Sequence, residues 1–159
     1  MIILGIDPGI TGAISVIETD GECFEVRDMP IMPKVSGKGS QVDSVALYDI
    51  VMCITHEYYP RLAIIETVSA SPQMGVTSAF SFGKSAGIAE GVCAGRIETH
   101  HITPQRWKKS AGLIGTEKDA ARLLAIQLYP EMEEYLSRKK DGGRADAMLI
   151  ARYGVTHCT

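Results

Sequence analysis

Short apolar runs separated by turn residues dominate the first third of the chain. The runs Ile2–Asp7, Ala13–Glu18 and Cys23–Met29 each have the length and composition of a β-strand. The connections between them are short, so we predict three strands in an antiparallel meander. Residues 30–42 hold prolines, glycines and lysines without periodicity, which predicts a mobile loop.

Helical and strand patterns alternate along the rest of the chain. Apolar residues at helical spacing predict a helix over Asp43–Tyr58, and the apolar run Leu62–Ile65 predicts a buried strand that leads into Glu66. Ala79–Ala94 fits a second helix despite three glycines. The remaining predicted elements are a strand and three helices, over Arg96–Ile102, Thr103–Trp107, Thr116–Leu128 and Gly143–Tyr153. This order predicts an α/β fold, in which a mixed sheet has helices on both faces.

Length and composition fit one globular domain over residues 1–159. The 159 residues are 45% hydrophobic and 22% charged, proportions that exclude a disordered or fibrous chain. The four cysteines lie at least 30 residues apart, which argues against a zinc site or a disulfide framework. No apolar run is long enough to cross a bilayer, and no basic segment precedes the first strand. We therefore expect a cytoplasmic protein without membrane contact.

Charge is unevenly distributed along the chain. The net charge is −3, but residues 1–66 hold ten acids against four bases, whereas residues 81–118 hold six bases against three acids. Residues 138–152 are also basic, with five bases against two acids. Such segments can form a local phosphate-binding surface on a protein that is acidic overall, or can simply be solvated faces.

Three acidic residues stand where packing does not require charge. Asp7 ends the first strand, Glu66 ends the fourth, and Asp146 lies in the first turn of the last helix. The ends of neighbouring strands in an open α/β sheet diverge around a crevice, so these carboxylates could converge there. Crowded carboxylates hold protons unless a cation neutralises them, and hard oxygen ligands favour Mg²⁺ or Mn²⁺. The pattern is typical of two-metal phosphodiester cleavage.

Several short motifs, taken in order, resemble the RuvC-like Holliday junction resolvases. The motifs that carry the acids are Ile6–Gly12, Ile64–Glu66 and Arg144–Met148. The motifs similar to a branch common in phages are Ser78–Ser85, Ile102–Lys108 and Lys139–Asp146. The resemblance implies an RNase H-like fold with a five-stranded mixed sheet, and a homodimer. It also implies Mg²⁺-dependent nicking of branched DNA, such as four-way junctions, that leaves 5′-phosphate and 3′-hydroxyl ends, with Mn²⁺ able to replace Mg²⁺.

The resemblance also assigns catalytic metal-binding positions. Asp7, Glu66 and Asp146 fall on three of the family's four metal ligands. The fourth ligand is usually an acid or a histidine three residues before the last aspartate, where this chain has Gly143. Asp141 lies five residues upstream of that aspartate, and we predict it as the substitute ligand. As an acid at a helix start, it could instead be stabilised by the helix dipole.

Seven basic side chains near these motifs are candidate contacts to DNA phosphates. They are Lys84, Arg106, Lys108, Lys109, Lys139, Lys140 and Arg144. Trp107 is the only tryptophan, and we expect it to be a core anchor beside them. In better-known resolvases an aromatic residue soon after the fourth-strand acid wedges into the junction. Here Ser69 occupies that stretch, and Phe80 and Phe82 are expected in the core.

The second helix offers a candidate dimer surface. Gly83, Gly87 and Gly91 lie at four-residue spacing on one face, and each lowers helix stability by roughly 1 kcal/mol relative to alanine. Close approach of a partner helix would offset that loss, and so would close packing on the protein's own sheet.

Other functions compete with the resolvase interpretation. The loop after Asp7 also resembles the first phosphate loop of sugar kinases and actin-like ATPases, but these need a second lobe that 159 residues do not supply. A RuvX-type nuclease acting on RNA shares the fold at similar length, and the motifs from Ser78 to Trp107 favour the resolvase over it. The non-enzymatic alternative is a junction-binding module with a decayed site, which Gly143 would support.

Overall fold

The computed structural model describes residues 1–67 and 74–158. Its strands are β1 Ile2–Ile6, β2 Ala13–Glu18, β3 Cys23–Asp28, β4 Ile31–Pro33, β5 Ser40–Val42, β6 Leu62–Glu66 and β7 Glu98–Ile102. Its α-helices are α1 Ser44–Tyr58, α2 Val76–Cys93, α3 Pro104–Ser110, α4 Ala120–Leu128 and α5 Gly142–His157. Two 3₁₀ helices, Pro130–Leu136 and Lys139–Asp141, connect α4 to α5.

Five of these strands form one mixed sheet in the order β3-β2-β1-β6-β7. β1 lies at the centre, where it pairs antiparallel with β2 and parallel with β6. β3 extends the antiparallel side of the sheet, and β7 extends the parallel side. The prediction of a meander followed by crossover strands in a five-stranded mixed sheet is therefore confirmed.

Side chains alternate between the two faces of β1, and each face has its own core. Leu4 and Ile6 pack in a cluster that includes Leu47 of α1 and Ala89 of α2. Ile3 belongs to the other cluster, to which α4 and α5 contribute. Because successive strand residues point to opposite faces, one short apolar strand supports helices on both sides.

Helix α5 lies very close to the backbone of the central strand. A Cβ atom on Gly5 would lie 2.3 Å from the carbonyl oxygen of Ala147, so only glycine allows this approach. The same carbonyl accepts a 2.8 Å hydrogen bond from Oγ of Ser15, which satisfies that buried hydroxyl. These contacts fix the position of α5, and with it the carboxylate of Asp146, relative to the sheet.

Residues 30–42 form a two-stranded antiparallel hairpin, β4 and β5, where the sequence predicted a mobile loop. Val42 anchors the base of the hairpin because it is buried in the cluster beneath α1 and α2. At the tip, Gly37 and Gly39 adopt φ angles of 74° and 80°, which favour glycine. The two strands are only three residues long, so periodicity could not reveal them.

The five α-helices lie where they were predicted but differ in their bounds: α3 ends at Ser110 and α5 at His157, both beyond the predicted ends at Trp107 and Tyr153. α2 begins at Val76, three residues before the predicted Ala79. α4 begins at Ala120, because the Thr116 hydroxyl donates to the carbonyl oxygen of Leu113 and does not cap the helix. Within residues 1–67 and 74–158, none of these helices is long and apolar enough to cross a membrane.

Candidate active site

Three carboxylates meet at one edge of the sheet. Ile6 of β1 lies in register with Ile65 of β6, so Asp7 and Glu66 are the next residues on two adjacent parallel strands. Asp146 is the fifth residue of α5, the helix that packs against β1. The negative charges of Asp7 and Glu66 both raise the pKa of Asp146, as expected of groups that share one site. The structure therefore brings together the three acids that the sequence singled out.

Burial raises the pKa values of this cluster, and repulsion between carboxylates adds to the shift at Glu66 and Asp146. Burial is the main cause that raises the pKa of Asp146 to about 7, and the two neighbouring carboxylates add to it. Burial likewise raises the pKa of Asp7 and that of Glu66. A site of this kind is poised to exchange its protons for a cation, since a positive charge removes the cost of ionisation.

The loop after β1 holds Asp7 by its backbone. The amide of Gly9 donates to Oδ1 of Asp7 over 3.2 Å and thereby lowers the pKa of that carboxyl against the effect of burial. Gly12 closes the same loop, and a Cβ atom there would lie 2.1 Å from the carbonyl oxygen of Asp7. The tightness of the loop therefore requires glycine at Gly12.

Trp107 holds Glu66 by its side chain. The indole Nε1–H donates a 2.7 Å hydrogen bond to Oε1 of Glu66, and Trp107 is only 1% exposed. The prediction that Trp107 anchors the core is correct. Its bond to Glu66 was not predicted. The available signal was that a buried indole N–H usually finds a hydrogen-bond acceptor.

Lys108 brings positive charge to the cluster. Its charge lowers the pKa of Asp7, Glu66 and Asp146, so the ammonium group lies near all three. Nζ of Lys108 also lies 5.1 Å from the ring centroid of Trp107, within cation–π range. The lysine predicted as a DNA contact thus stands beside the acids.

The structure does not bring Asp141, the proposed fourth metal ligand, into this cluster. Both carboxylate oxygens of Asp141 accept hydrogen bonds from Arg138, through its backbone amide and its guanidinium. These bonds hold the pKa of Asp141 below its usual value although the residue is buried. Its carboxylate instead orders the turn that leads into α5.

The position of the usual fourth ligand has no room for a side chain. A Cβ atom on Gly143 would lie 2.0 Å from the carbonyl oxygen of Thr11 and 3.0 Å from Cα of Gly12. The start of α5 therefore packs directly against the loop that holds Asp7. Glycine at this position is therefore a packing requirement of this structure, which gives Gly143 a structural reason independent of the missing ligand.

Arg144 is engaged within the protein. Its Nε and Nη2 atoms donate to the two carboxylate oxygens of Asp28 over 2.6 and 2.7 Å, and its Nη1 donates to the carbonyl oxygen of Tyr135. Asp28 ends β3, so this pair ties the start of α5 to the edge of the sheet. The predicted DNA contact is therefore a bidentate internal ion pair in this structure.

The other predicted DNA contacts lie on the surface. Arg106 and Lys109 are exposed on α3, and Lys139 and Lys140 are exposed on the short 3₁₀ helix before α5. Lys84 is exposed on α2, where Nζ donates to Oε1 of Gln41 over 3.2 Å. The structure leaves these five available to a ligand.

The aromatic residues of α2 differ from the prediction. Phe80 is 73% exposed, so the expectation that it lies in the core is wrong. Phe80 lies on the outer face of α2, since the inner face is occupied by Ser85, Ala89 and Cys93. Ser69 lies outside the described residues.

The carboxylates would have to move for a metal ion to bind here. Within residues 1–67 and 74–158, no group of three or more histidine, cysteine, aspartate and glutamate side chains is placed so that it could already hold an ion. The donor chemistry nevertheless fits, because the three buried carboxylates offer hard oxygen atoms and excess negative charge.

Comparison with known proteins gives relatives in sequence and in structure. No protein-family model matches the chain. A 96-residue stretch, 59% of the chain, is 38% identical to part of the chloroplastic Holliday junction resolvase MOC1 of Chlamydomonas reinhardtii, but it covers only 11% of that protein. The chain therefore spans about a tenth of the length of that curated relative.

Two solved structures of RuvC from Thermus thermophilus have the same fold. One is RuvC alone and the other is RuvC in complex with a Holliday junction substrate. Both superpose with a TM-score of 0.66 over 99% of this chain and 93% of RuvC, at 20% and 17% sequence identity respectively. The chain thus has the RNase H-like fold of RuvC and is similar in sequence to a Holliday junction resolvase, which confirms the resemblance carried by its motifs.

Proposed function

We propose that this protein is a metal-dependent endonuclease that resolves Holliday junctions or related branched DNA. The observation that carries the proposal is the convergence of Asp7, Glu66 and Asp146 at the ends of β1, β6 and the buried helix α5. The similarity to MOC1 and to RuvC supports the same substrate class. Because the chain matches only a small part of MOC1, activity and substrate are inferred from the site and the fold together.

The three carboxylates would bind Mg²⁺, with Mn²⁺ as a substitute. Their oxygen atoms are hard ligands, and their pKa values are raised mainly by burial, a cost of ionisation that a bound cation would offset. When bound, divalent ions would supply the activation of water and the stabilisation of the departing 3′ oxygen, so that a 5′-phosphate end is left. We propose that Asp141 orders the turn that leads into α5 and does not bind the metal.

Each acid would have a distinct place in this site. Asp7 follows the central strand β1, and its charge acts on both Glu66 and Asp146, so we assign it as the ligand shared by two ions. Trp107 fixes one carboxylate oxygen of Glu66 and leaves the other free to bind. Asp146 would give up its proton as the cation binds.

Lys108 would act on the phosphate. Its ammonium group is the positive charge that lowers the pKa values of all three acids, and it is half-buried over the Trp107 ring. A lysine so placed would stabilise negative charge that develops on the phosphoryl group during attack. The exposed bases Arg106, Lys109, Lys139 and Lys140 would contact phosphates farther from the cut, and Lys84 is treated below.

A homodimer would supply the symmetry that junction resolution needs, since two nicks must be placed by a two-fold axis. Cβ atoms added to Gly83, Gly87 or Gly91 would meet nothing within 4 Å, so packing on the protein's own sheet does not require these glycines. Val76 and Phe80 extend the same exposed face of α2, at 87% and 73% exposure. We therefore propose this face as the dimer contact.

The proposal also sets the place of action and the discriminating substrates. Branched DNA arises where DNA is replicated and recombined, so we assign the protein to the bacterial cytoplasm, including cells that carry it on a phage.

The direct test is cleavage in Mg²⁺ of a synthetic four-way DNA junction, a linear duplex of the same arm sequence, and a structured RNA. Preferential paired nicking of the junction is expected. Preference for the RNA would identify a RuvX-type nuclease, and binding without cleavage would identify a junction-binding module.

A further inference from the structure

A groove adjoins the loop that carries Asp7. It has a volume of about 350 Å³, within the range of ~300–1,000 Å³ that small-molecule-sized ligands fill. Its walls come from the loop after β1, the β4–β5 hairpin and the first half of α2. The lining side chains used below are Lys34, Ser40, Ser81 and Phe82.

The groove is continuous with the acid cluster through Gly9. This residue lines the groove, and its amide donates to Oδ1 of Asp7. A Cβ atom on Gly9 would lie 3.5 Å from that oxygen and 3.7 Å from Cε2 of Phe82. The Asp7 carboxylate and the Phe82 ring therefore flank the same glycine. An extended ligand that lies in the groove would end beside the three acids.

Two reciprocal hydrogen bonds hold the hairpin on α2. Nζ of Lys34, on the hairpin, donates to Oγ of Ser81 over 2.9 Å, while Nζ of Lys84, on α2, donates to Oε1 of Gln41 over 3.2 Å. Both acceptors are neutral, so they do not offset the charge of either lysine. Each ammonium group has three N–H donors, and two remain for a ligand.

The surface around this groove is basic within a chain that is acidic overall. Residues 29–42 and 74–89 include Lys34, Lys38 and Lys84 and contain no aspartate or glutamate. In the described part of the chain, none of these three lysines forms an ion pair with a carboxylate. An uncompensated positive surface beside a cluster of acids attracts a polyanion and sets its direction of approach.

We propose that this groove binds the sugar–phosphate backbone of the cleaved DNA strand immediately next to the scissile phosphate, with Lys34, on its wall, contacting a phosphate and Lys84 adding positive charge nearby. The inference rests on the proposed nuclease function and deepens it. Phe82 forms an apolar wall suited to a deoxyribose, and the lysines act as point charges for phosphate oxygens. Contacts of this type position the strand without reading its sequence. Lys34 is therefore a positioning residue that lay hidden in the acidic first part of the sequence.

The salt dependence of junction binding tests the proposal. Two proteins are compared, the Asp7→Asn variant as parent and the Asp7→Asn/Lys34→Gln double variant. For each we would measure the dissociation constant for a four-way junction across a range of salt concentrations. Loss of one phosphate contact is expected to reduce the slope of log K against log salt by about 0.9. The control is Lys118→Gln, an exposed lysine on the loop before α4, which should leave the slope unchanged.

A second control separates charge from hairpin structure. Ser81→Ala removes the acceptor of the Lys34 hydrogen bond but keeps the lysine charge, so its slope should match that of the parent. If Ser81→Ala reduces the slope as much as Lys34→Gln does, hairpin placement and not phosphate contact is responsible, and the proposal is overturned.

The location of the contact can be tested on the DNA. One phosphate of the junction, within three nucleotides of the mapped nick, is replaced by a neutral methylphosphonate. This replacement should weaken binding by the parent but have little effect on binding by the Lys34→Gln variant. Equal weakening of both would overturn the proposed contact. Wild-type nicking of unmodified junctions is measured in parallel: nicking with equal salt slopes refutes only the groove, whereas absence of binding and nicking refutes the nuclease function itself.

Discussion

The indole Nε1–H of Trp107 donates a 2.7 Å hydrogen bond to Oε1 of Glu66, at the end of β6. The bond joins the core to the candidate metal centre, because the indole is 1% exposed while the carboxylate faces Asp7 and Asp146. Trp107 takes no direct part in the proposed reaction, but its hydrogen bond to Oε1 leaves the other carboxylate oxygen of Glu66 free to bind a metal. Adjacent Lys108 is carried on the same turn of α3, so one short helix orients an acid and supplies a cation.

Replacing Trp107 with Phe should weaken metal use more than it weakens the fold. Loss of a hydrogen bond that orients a metal ligand typically reduces metal affinity or activity by about 10–100-fold. The variant should therefore need more Mg²⁺ for half-maximal nicking. Tyr129→Phe is the matched control, since Tyr129 is also 1% exposed in the same cluster but has no bond to an acid of the site. A Trp107→Phe enzyme with an unchanged Mg²⁺ requirement would contradict this role.

The stability of the metal-free protein should fall as the pH rises from about 4 to about 7. Folding raises the pKa of Asp146 from its ordinary 3.8 to about 7, so in this interval the folded chain holds a proton that the unfolded chain has released. Stability that depends on such a proton is lost as pH rises. Asp146→Asn removes this titration, so its melting temperature in EDTA should decline less between pH 5 and pH 8 than that of the wild type. Parallel declines would show that Asp146 is not buried with its neighbours.

Mg²⁺ should offset the loss of stability at high pH, and it should do so more in the wild type than in Asp146→Asn. A cation that binds the ionised acids stabilises the folded state by mass action, and it competes with the proton on Asp146. The Mg²⁺-induced rise in melting temperature should therefore be larger at pH 8 than at pH 5. It should be strongly reduced in Asp146→Asn.

Gly143 should tolerate no side chain, whereas its neighbour Gly142 should. A Cβ atom on Gly143 would collide with the Thr11 carbonyl, while one on Gly142 meets nothing within 4 Å. Gly143→Ala should destabilise the protein by about 1–3 kcal/mol, as overpacking does, and Gly143→Asp should not add a working fourth ligand. Gly142→Ala should fold normally. Denaturant unfolding of the three variants checks this, and a stable Gly143→Asp enzyme with higher activity would contradict the packing argument.

Leucine at Gly87 should convert the proposed dimer to a monomer that still folds. Because a Cβ on Gly87 meets nothing within 4 Å among the described residues, we expect leucine there to leave the fold intact and to obstruct a partner helix. The control is Gln127→Leu, which places leucine at an exposed position of α4. Light scattering gives the mass of each protein in solution. A folded Gly87→Leu dimer would exclude this face as the interface.

The sequence was sufficient to predict the sheet and the three acids, because both depend on local signals. β1, β2 and β6 show as apolar runs, and Asp7 and Glu66 stand out because they follow or end such runs. Parallel strands in register then necessarily place the two acids side by side. The prediction needed no long-range information beyond strand order.

What the sequence did not reveal depends on contacts between distant residues. Arg144 was predicted to bind DNA, but it pairs with Asp28, which is 116 positions away in the chain. Gly143 suggested a missing ligand, and only its distance to the Thr11 carbonyl oxygen shows a packing constraint. Lys34 was hidden in an acidic segment because charge counts along a sequence ignore which residues share a surface.

The most direct test of the central claim compares wild-type protein and Asp7→Asn on a labelled synthetic four-way junction, in Mg²⁺ and in EDTA. Asp7 lies centrally among the acids, whereas binding depends on phosphate contacts elsewhere, so the variant should bind the junction but not cut it. We predict paired nicks with 5′-phosphate ends from the wild type in Mg²⁺, and none in EDTA or from Asp7→Asn. Nicking by wild-type protein in EDTA, or by Asp7→Asn at the wild-type rate, would contradict a metal-dependent site built on these three carboxylates.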